Sequence, residues 1–473
     1  MLPIDRGRFM AQTAAATAAT PLLGLAGCAG RSSSLTPPTP GGPSRAGAIF
    51  LAHLDRIPSF PDQQLLALLK KTAASGPTPQ QIEVALGMLG AYGGMKSVPT
   101  AIPPAPALTF PADHAEHFDT QFEWRYFTLS LPLSNGGLFS MLATFFRKAI
   151  AEASDMPGVS PVDRQIYSTS IAMTIEMPGQ PGVHYYLPTT TFAPIDGTVT
   201  VGNAPFHLTI GKNSIVGGNG VFPLHIHVED AGGNGRPSVV VDVDCAATNP
   251  LFLQGINGFV GTPDIGWFYY SWPQQATTGT VTLGGTSYGV TNGLCWMDHQ
   301  WGGAPNATSG PAFSWSGWCW FEFQFDGNRS LTLAAPHGPI VGGALPHDNA
   351  AFGTYVEADG TATFVVGNLN VGTYQQSPET DAKYPSSWLL SVTNPSPTGT
   401  QLALVVNPVV TVQPQTMWFG SLSEYSEANC TVTAAGIVSG APVGMSGVGY
   451  CEGVGFETPS EYQARAMAFL SVR

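Results

Sequence analysis

The segment GLCWMDHQWGG, residues 293–303, carries an acid at the centre of a largely apolar stretch. Because side chains alternate between the two faces of a β-strand, Trp296 and Asp298 would point one way and Met297, His299 and Trp301 the other. A buried carboxylate without a partner is usually kept neutral by a raised pKa. A neutral acid that faces aromatic rings is equipped to protonate an alkene or an ether, and the ring faces can stabilise the resulting carbocation.

A second aromatic segment, GWFYYSWPQ, precedes the first one and could pair with it through a hairpin. It offers four rings: Trp267, Tyr269, Tyr270 and Trp272. We predict that Asp298 shares the inward face of its strand with Trp296 and is shielded from solvent. We also predict that Tyr270 and Trp272 lie near Asp298, and that burial raises its pKa above the ordinary value of about 3.9.

Three shorter motifs admit a chemical interpretation and a plainer structural one. GTSYG matches the G-x-S-x-G of serine hydrolases, but a nucleophile elbow needs a strand before the serine and a helix after it. Strand-like runs flank Ser287 on both sides, so a hairpin turn explains it better. His225 and His227 share a strand face with Glu229 and could chelate a metal, as could DHAEH at residues 113–117. No recognisable spacing completes either ligand set, so we predict no metal and no other cofactor.

The composition excludes some classes of partner. The chain has 473 residues, of which 10% are charged, and its formal net charge is −13. No basic patch is visible, so we do not expect nucleic acid as a partner. No stretch reaches the roughly 20 apolar residues of a membrane-spanning helix.

The N-terminus has the features of an export signal. Arg6 and Arg8 precede an Ala-rich apolar run that ends in LAGC, and this ending resembles the lipobox of bacterial lipoproteins. We predict a signal peptide over residues 1–28, lipidation of Cys28 and a Ser/Pro/Gly-rich tether over residues 29–48. The chain would then be exported and lipid-anchored to a bacterial membrane on the periplasmic side. An ordinary secretory signal is the alternative.

The other five cysteines fit no zinc-like spacing. In an exported chain Cys430 could form a disulfide with Cys451, since both lie in strand-like runs near the C-terminus. The odd number leaves at least one thiol, which we expect to be a buried apolar residue.

The elements that must position the acid are mostly strands. Residues 49–100 predict a short helical hairpin, whose second helix opens with Thr78 as N-cap, Pro79 in the first turn and Gln81 at the capping-box position. From about residue 110 onward, more than a dozen alternating or β-branched runs lie between turn residues. We predict an N-terminal β-domain over residues 105–305 and a C-terminal β-domain over residues 312–473.

Several blocks resemble the family of hydroxyneurosporene synthase (carotenoid 1,2-hydratase) and AttH-like lipocalin-fold proteins. They occur in the family's order: DHAEHFDTQFEWRYF, YYSWP, GLCWMDHQWGG, WCWFEFQFDG, YPSSW and GVGYCEGVGFE. The resemblance covers residues 110 to about 460. It implies a mostly β fold of two tandem lipocalin-like antiparallel β-barrels, preceded here by the helical hairpin.

The resemblance also implies roles for particular residues. In the carotenoid hydratases, an acid in the block that matches WMDHQWG protonates a terminal isoprenoid double bond before water adds, and this role falls on Asp298. The aromatic position two residues earlier is Trp296, and an H-x-W pair matches Tyr270 and Trp272. The chain departs from the pattern where Tyr270 replaces the histidine and where Arg125 interrupts the E-W-W-Y block.

The expected function is therefore binding of an apolar isoprenoid- or lipid-like ligand, with acid catalysis of hydration, isomerisation or cyclisation by Asp298. We expect five further residues to contact the ligand: Trp124, Trp267, Tyr269, His299 and Trp301. Whether the chain is an enzyme stays open at this point. The alternatives are a non-catalytic lipid-binding carrier and a periplasmic hydrolase.

Overall fold

The computed structural model describes residues 45–57, 63–91, 108–150, 158–187, 189–194, 199–203, 205–218, 221–255, 257–261, 266–303, 317–337, 349–378, 380–394, 399–410, 415–416 and 424–471. The predicted signal peptide with Cys28, and most of the predicted tether, lie outside these residues. Within them, no helix combines the length and the apolar character needed to cross a membrane.

Among the described residues, four α-helices share one apolar cluster: α1 Arg45–Asp55, α2 Gln63–Ala74, α3 Pro79–Ala91 and α4 Pro459–Ser471. The predicted hairpin is α2 and α3, and the capping box of α3 forms as expected. The backbone N–H of Thr78 donates to Gln81 Oε1 (3.0 Å), and the backbone N–H of Gln81 donates to Thr78 Oγ1 (3.2 Å). Helices α1 and α4 were not predicted. Helix α4 follows the last strand and packs against α3.

In the described residues, the first β-domain is one antiparallel sheet of fifteen strands. Their bounds are β1 Phe122–Pro132, β2 Leu138–Ala149, β3 Gln165–Glu176, β4 Val183–Tyr186, β5 Thr190–Phe192, β6 Val199–Asn203, β7 Phe206–Ile210, β8 Asn213–Gly218, β9 Val221–Asp230, β10 Val239–Ala247, β11 Phe252–Leu253, β12 Phe259–Gly261, β13 Gly266–Leu283, β14 Thr286–Gly289 and β15 Gly293–Gly303. The main order is β4-β3-β2-β1-β15-β13-β10-β9-β8-β7-β6. No pairing among the described strands joins β4 to β6, so the sheet is an open half-barrel around one apolar core.

The second β-domain has nine strands: β16 Gly317–Phe325, β17 Arg329–His337, β18 Asn349–Val356, β19 Ala362–Gln376, β20 Lys383–Thr393, β21 Gln401–Pro408, β22 Gln415–Thr416, β23 Glu424–Val438 and β24 Ala441–Val454. Strand β21 also pairs with β23, and this pairing closes an eight-stranded antiparallel barrel. The mostly β, lipocalin-like fold class is therefore confirmed, with one closed barrel and one half-barrel.

The two β-domains face each other through strands β1, β2 and β15 on one side and β16, β23 and β24 on the other. Hydrogen bonds join them directly. Gln324 Nε2 donates to the carbonyl of Cys295 (3.0 Å), and Asn429 Nδ2 donates to Ser140 Oγ (2.6 Å). Alternation decides which side chains lie here: in β1, Phe127 and Leu129 enter the core of the half-barrel, whereas Tyr126 packs in a separate cluster between the domains.

Candidate active site between the two β-domains

Strand β15 presents different chemistry on its two faces. Met297 and Trp301 belong to the core of the half-barrel, whereas Trp296 belongs to the apolar cluster between the domains. Asp298 shares the face of Trp296, and both side chains are buried, with exposed fractions of 2% and 0%. In the structure, Asp298 is buried beside Trp296, as predicted. The face they share, however, is turned toward the second β-domain and not into the first.

Three side chains donate hydrogen bonds to the carboxylate of Asp298. Oδ1 accepts from Trp296 Nε1 (2.8 Å) and Ser271 Oγ (2.5 Å), and Oδ2 accepts from Tyr269 Oη (2.7 Å). Burial raises the pKa of Asp298 to about 6, although these hydrogen bonds favour the ionised form and oppose the rise. Asp298 therefore holds a proton below about pH 6 and is mostly a hydrogen-bonded carboxylate at pH 7.

The expected neighbours Tyr270 and Trp272 lie on the opposite face of the sheet. In the antiparallel register of β13 and β15, Ser271 stands opposite Asp298 and Tyr270 stands opposite His299. Tyr269 and Ser271 are thus the β13 side chains that share the side of Asp298, one position away from the expected pair. The prediction that Tyr270 and Trp272 adjoin Asp298 was wrong, because the sequence does not reveal the register between the two strands.

Three more acids are buried on the second domain's side of the interface: Glu322 on β16, Glu427 on β23 and Glu452 on β24. Burial raises the pKa of Glu322 to about 8 and that of Glu452 to about 7, and the charge of Asp298 adds to both shifts. Burial and the neighbouring Glu452 raise the pKa of Glu427 well above its ordinary range. We call Asp298, Glu322, Glu427 and Glu452 the acid cluster.

The acid cluster has polar neighbours but, among the residues that the structure describes, no counter-ions. Thr128 Oγ1 donates to Glu322 Oε1 (2.6 Å), and Trp318 Nε1 donates to Glu452 Oε1. Within the described part of the chain, no lysine, arginine or histidine forms a salt bridge with any of the four acids. Buried carboxyls in such surroundings are compensated by protons instead of cations.

Aromatic rings surround the acid cluster. The ring of Tyr126 meets that of Trp320 edge-on at 5.1 Å, and Trp320 meets Trp296 at 6.4 Å. Trp124 packs against the apolar cluster between the domains that contains these three rings, and alternation along β13 directs Trp267 to the same side as Tyr269. The hydroxyls of Tyr126 and Tyr450 are buried and have no hydrogen-bond partner among the described residues. Buried polar groups are normally satisfied, so such hydroxyls indicate a place for a ligand or water.

Sequence inspection missed Glu322, Glu427 and Glu452, although two of them carry a visible signal. WCWFEFQF repeats the pattern that made Asp298 conspicuous, with Glu322 two residues after Trp320 in an apolar strand. GVGYCEGVGFE likewise sets Glu452 two residues after Tyr450. Either acid could have been found by searching for charged residues at alternate positions in aromatic runs.

A second buried ionic region lies inside the half-barrel, on the other face of β15. Glu123 accepts from Arg147 Nε (3.1 Å) and from Arg125 Nη2 (3.2 Å), and it also contacts His117 Nδ1 (3.0 Å). Arg125 further pairs with Glu116, and Arg147 Nη2 donates to the carbonyl of His117 (2.8 Å). We call Glu116, Glu123, Arg125, Arg147 and His117 the arginine network.

Opposite charges set the protonation states of this network. Burial would raise the pKa of Glu123, but the charges of His117 and Arg125 and the hydrogen bonds to it hold that pKa well below its ordinary value. Burial likewise opposes the charged form of His117, but Glu123 and Asp113 raise its pKa to about 9. Each of these two groups is therefore ionised at neutral pH and faces a partner of opposite sign.

Four of the expected site residues belong to this second region. Tyr270 Oη lies 2.9 Å from His299 Nδ1 and 2.7 Å from His114 Nδ1. Trp301 stacks on the ring of His117 with centroids 4.0 Å apart, and Trp272 stacks on His114 at 5.0 Å. The face of the sheet opposite Asp298 thus carries Tyr270, Trp272, His299 and Trp301. The face that carries Asp298 also carries Trp124, Trp267, Tyr269 and Trp296.

One group in the arginine network has the geometry of metal ligands. Ligand atoms of His117, Glu123 and His299 lie within 4.8 Å of one another. Two arginines already contact Glu123. A cation there would meet their positive charges at short range, so the residues present do not fit a metal ion.

The remaining motifs have structural explanations. Gly284 and Gly285, with φ of +56° and +85°, form the turn between β13 and β14, and Ser287 lies exposed on β14. The hairpin interpretation of GTSYG is therefore confirmed. The side chains of His225 and His227 pair with Asp242 and Asp244 on the neighbouring strand of the outer surface.

The five described cysteines are all buried. Cys430 and Cys451 lie side by side in the barrel core, with their Sγ atoms 3.3 Å apart as thiols. Their proximity agrees with the expectation that these two would pair on oxidation.

Comparisons with known proteins give a family and a fold. A family model described as AttH-like matches residues 101–456. A Nitrosomonas europaea protein of known structure assigned to AttH is 21% identical, with a TM-score of 0.56, and the match covers 76% of this chain and 100% of that one. Kievitone hydratase from Nectria haematococca is 14% identical (TM-score 0.49; 78% and 98% covered), and CghA with Sch210972 is 13% identical (TM-score 0.43; 77% and 97% covered). No curated protein sequence matches the chain.

Proposed function

The chain belongs to the AttH-like family, and from that premise we propose that it catalyses proton transfer to an apolar, alkene-bearing substrate between its two β-domains. Hydration, isomerisation and cyclisation all begin with this step. The observation that carries the proposal is the acid cluster, in which four buried carboxyls face aromatic rings without a counter-ion among the described residues. A binding surface for an apolar molecule has no need of four such acids.

The acids divide into a proton donor and an anion near neutral pH. Glu322, with a pKa of about 8, keeps its proton at pH 7, whereas Asp298, with a pKa of about 6, has mostly lost its own. Environments that push the pKa values of neighbouring groups apart are how active sites assign acid and base roles. We therefore assign proton donation to Glu322 at neutral pH and to Asp298 below about pH 6.

The proposed reaction follows from these states. Glu322 transfers its proton to one carbon of a double bond, and the electron pair of that bond forms the new C–H bond. The adjacent carbon becomes a cation, which the carboxylate of Asp298 and the rings of Trp296 and Trp320 stabilise. Attack by water gives an alcohol and returns a proton to the acid cluster, whereas loss of a different proton gives an isomer.

The test works without the natural substrate in hand. The protein is incubated with a panel of terminal isoprenoid alkenes in heavy-oxygen water and, separately, in deuterated water, and the products are examined by mass spectrometry. We expect heavy oxygen or deuterium to enter one class of alkene. Since general acid catalysis contributes about a hundred- to ten-thousand-fold, Glu322→Gln should lower the rate by that order at pH 7.

Two further variants make this test specific. Asp298→Asn keeps the shape of the carboxylate and removes its charge, so it should stop turnover while an apolar ligand still binds. Glu229→Gln changes an acid on the surface of the half-barrel that pairs with Lys212, and it should leave the rate unchanged. If no alkene takes up label, or if Glu322→Gln and Asp298→Asn both react like the wild type, the catalytic proposal fails and a lipid-binding carrier becomes the better description.

We further propose that the chain is exported and anchored to the bacterial membrane through Cys28, because LAGC closes an Ala-rich export segment. Cys28→Ser should move the protein from the membrane fraction to the soluble periplasmic fraction, as measured by fractionation and immunoblotting. A variant that stays membrane-bound to the same extent would overturn the lipoprotein hypothesis.

A further inference from the structure

We infer that the acid cluster is built to bind an organic cation, so that a ligand with an ammonium group beside an apolar body binds there more tightly than its uncharged counterpart. This inference deepens the proposed function and rests on it, because the same site would stabilise a cationic intermediate. It concerns binding alone and is therefore testable apart from turnover.

The first observation is an excess of negative charge. Asp298 and Glu452 sit in the same buried layer as Glu322 and Glu427, and no basic side chain of the described residues pairs with them. Each ionisation in this layer is costly without a compensating positive charge. A bound cation would supply that charge and would be held by the ionised carboxylates.

The second observation is polar groups that have no partner inside the described part of the protein. The hydroxyls of Tyr126 and Tyr450, in side chains exposed by 4% and 1%, make no hydrogen bond there. Burial raises the pKa of both phenols, and the charges of Glu427 and Glu322 contribute to each shift, which puts both hydroxyls within the field of the acid cluster. These hydroxyls are positioned to contact a ligand lodged among the acids.

The third observation selects an organic cation over a metal ion. Across the described residues, the one group that brings three ligand atoms within 4.8 Å of one another is His117, Glu123 and His299, which lies on the other side of the sheet. The acid cluster is therefore too widely spaced to enclose a bare divalent ion. The faces of aromatic rings attract alkylammonium ions, and Tyr126, Trp296 and Trp320 provide such rings here.

The charge state of the site depends on pH through groups on every element around it. These are Asp298 on β15, Tyr269 on β13, Tyr126 on β1, Tyr186 on β4, Glu322 on β16, Tyr425 and Glu427 on β23, and Tyr450 and Glu452 on β24. The tyrosines stay neutral, because burial raises each of their pKa values. Asp298 and Glu452 lose their protons between about pH 6 and 7, so cation affinity should rise over that range.

The experiment compares benzyltrimethylammonium with neopentylbenzene, which has the same shape but a carbon atom in place of the charged nitrogen. Binding to the full protein is measured by calorimetry or by tryptophan fluorescence at pH 8 and pH 5. We expect the cation to bind at least tenfold more tightly than the neutral probe at pH 8, and this preference to shrink markedly at pH 5. Equal affinities at pH 8, or no binding of the cation at millimolar concentration, would overturn the inference.

Variants locate the effect. The double variant Asp298→Asn/Glu452→Gln should lose the preference for the cation and keep its affinity for neopentylbenzene, whereas Asp244→Asn, on the outer surface, should change neither. Unchanged cation binding in the double variant would place the charge elsewhere and overturn the inference. Should that variant not fold, the pH dependence of the wild type decides. If alkenes take up label but the protein does not prefer the cation, the proposed function stands and this inference fails. If the protein prefers the cation but no alkene takes up label, it is a cation-binding protein without the proposed reaction.

Discussion

Asp298 and His299 are consecutive residues whose side chains enter two different buried environments. His299 contacts Glu123 (2.7 Å) in the arginine network inside the half-barrel, and Asp298 belongs to the acid cluster between the domains. In the arginine network each carboxylate has a cation beside it. In the acid cluster no basic side chain of the described residues lies beside the carboxyls, so bound protons set their charge, and this proton binding changes within the physiological pH range.

This difference separates a structural role from a chemical one. Paired buried charges fix the parts of the chain that carry them, and Glu123, whose pKa its partners hold well below the ordinary value, stays ionised over a wide pH range. Unpaired buried carboxyls cost stability when they ionise, and they hold protons that can be delivered to a substrate. The arginine network therefore fastens the segment before β1 onto the half-barrel, and the acid cluster is the better candidate for catalysis.

The largest effect on stability is expected from breaking the arginine network. Arg147 donates to Glu123, Thr120, Gln165 and the carbonyl of His117. Arg147→Leu would leave Glu123 and several acceptors short of a partner, which typically costs about 3–5 kcal/mol for a buried ion pair. Urea unfolding at pH 7 measures the loss. Arg329→Leu breaks a partly exposed pair with Glu357 and should cost less than about 1 kcal/mol; equal losses would show that the network is not structural.

A substitution in the acid cluster should act in the opposite direction at high pH. The pKa of Glu322 in the folded protein is raised to about 8, above the roughly 4.3 of an unfolded chain, so the folded state loses stability as pH rises from about 4.3 to about 8, and the loss levels off above that. Glu322→Gln removes this loss, and the variant should be more stable than the wild type at pH 9 by about 5 kcal/mol and nearly equal to it at pH 4. Denaturant unfolding across this range measures the difference.

Glu123→Gln is the matched control from the other face of the sheet. Its pKa is held well below the ordinary value, so the ionised form contributes stability that is present above about pH 4 and is lost only in acid. The variant should be less stable than the wild type at pH 7 and at pH 9. If Glu322→Gln and Glu123→Gln shift stability with the same sign at pH 9, the distinction between the two regions is wrong.

The smallest effect is expected from Ser287, which belongs to neither region. It lies exposed on β14 after the Gly284–Gly285 turn, so Ser287→Ala should leave the stability of the fold nearly unchanged. Any measured activity should change by no more than a few-fold. Activity assays and a melting curve check this. A thousandfold loss of activity in a folded variant would revive a serine-hydrolase mechanism.

Much of the fold and part of the site follow from the sequence. Alternation along β15 placed Asp298 with Trp296 in a buried layer, and the capping box of Thr78 and Gln81 forms as predicted. Helix α4 has the same signature in TPSE, where Thr458 and Glu461 cap each other, but it follows a long run of strands and was overlooked.

What the sequence could not supply is the arrangement of distant segments. Period-two alternation separates two faces of a strand but does not say what covers each face, so Asp298 was expected among the residues of the half-barrel. The register between β13 and β15 places Tyr269 and Ser271 on the side of Asp298, where Tyr270 and Trp272 were expected. Asp298 and Glu322 are brought together by the packing of the two domains, and no local sequence pattern predicts that packing.

The most direct measurement asks whether the acid cluster holds a proton at neutral pH. Infrared difference spectroscopy of the folded protein detects the C=O stretch of protonated carboxylic acids, which ionised acids lack. We expect this band to be present at pH 7, to be reduced in Glu322→Gln and to weaken in the wild type as pH rises through about 8, with a smaller change in Glu322→Gln. A spectrum without the band at pH 7, or with a band that Glu322→Gln leaves unchanged, would contradict the proposed role of the acid cluster.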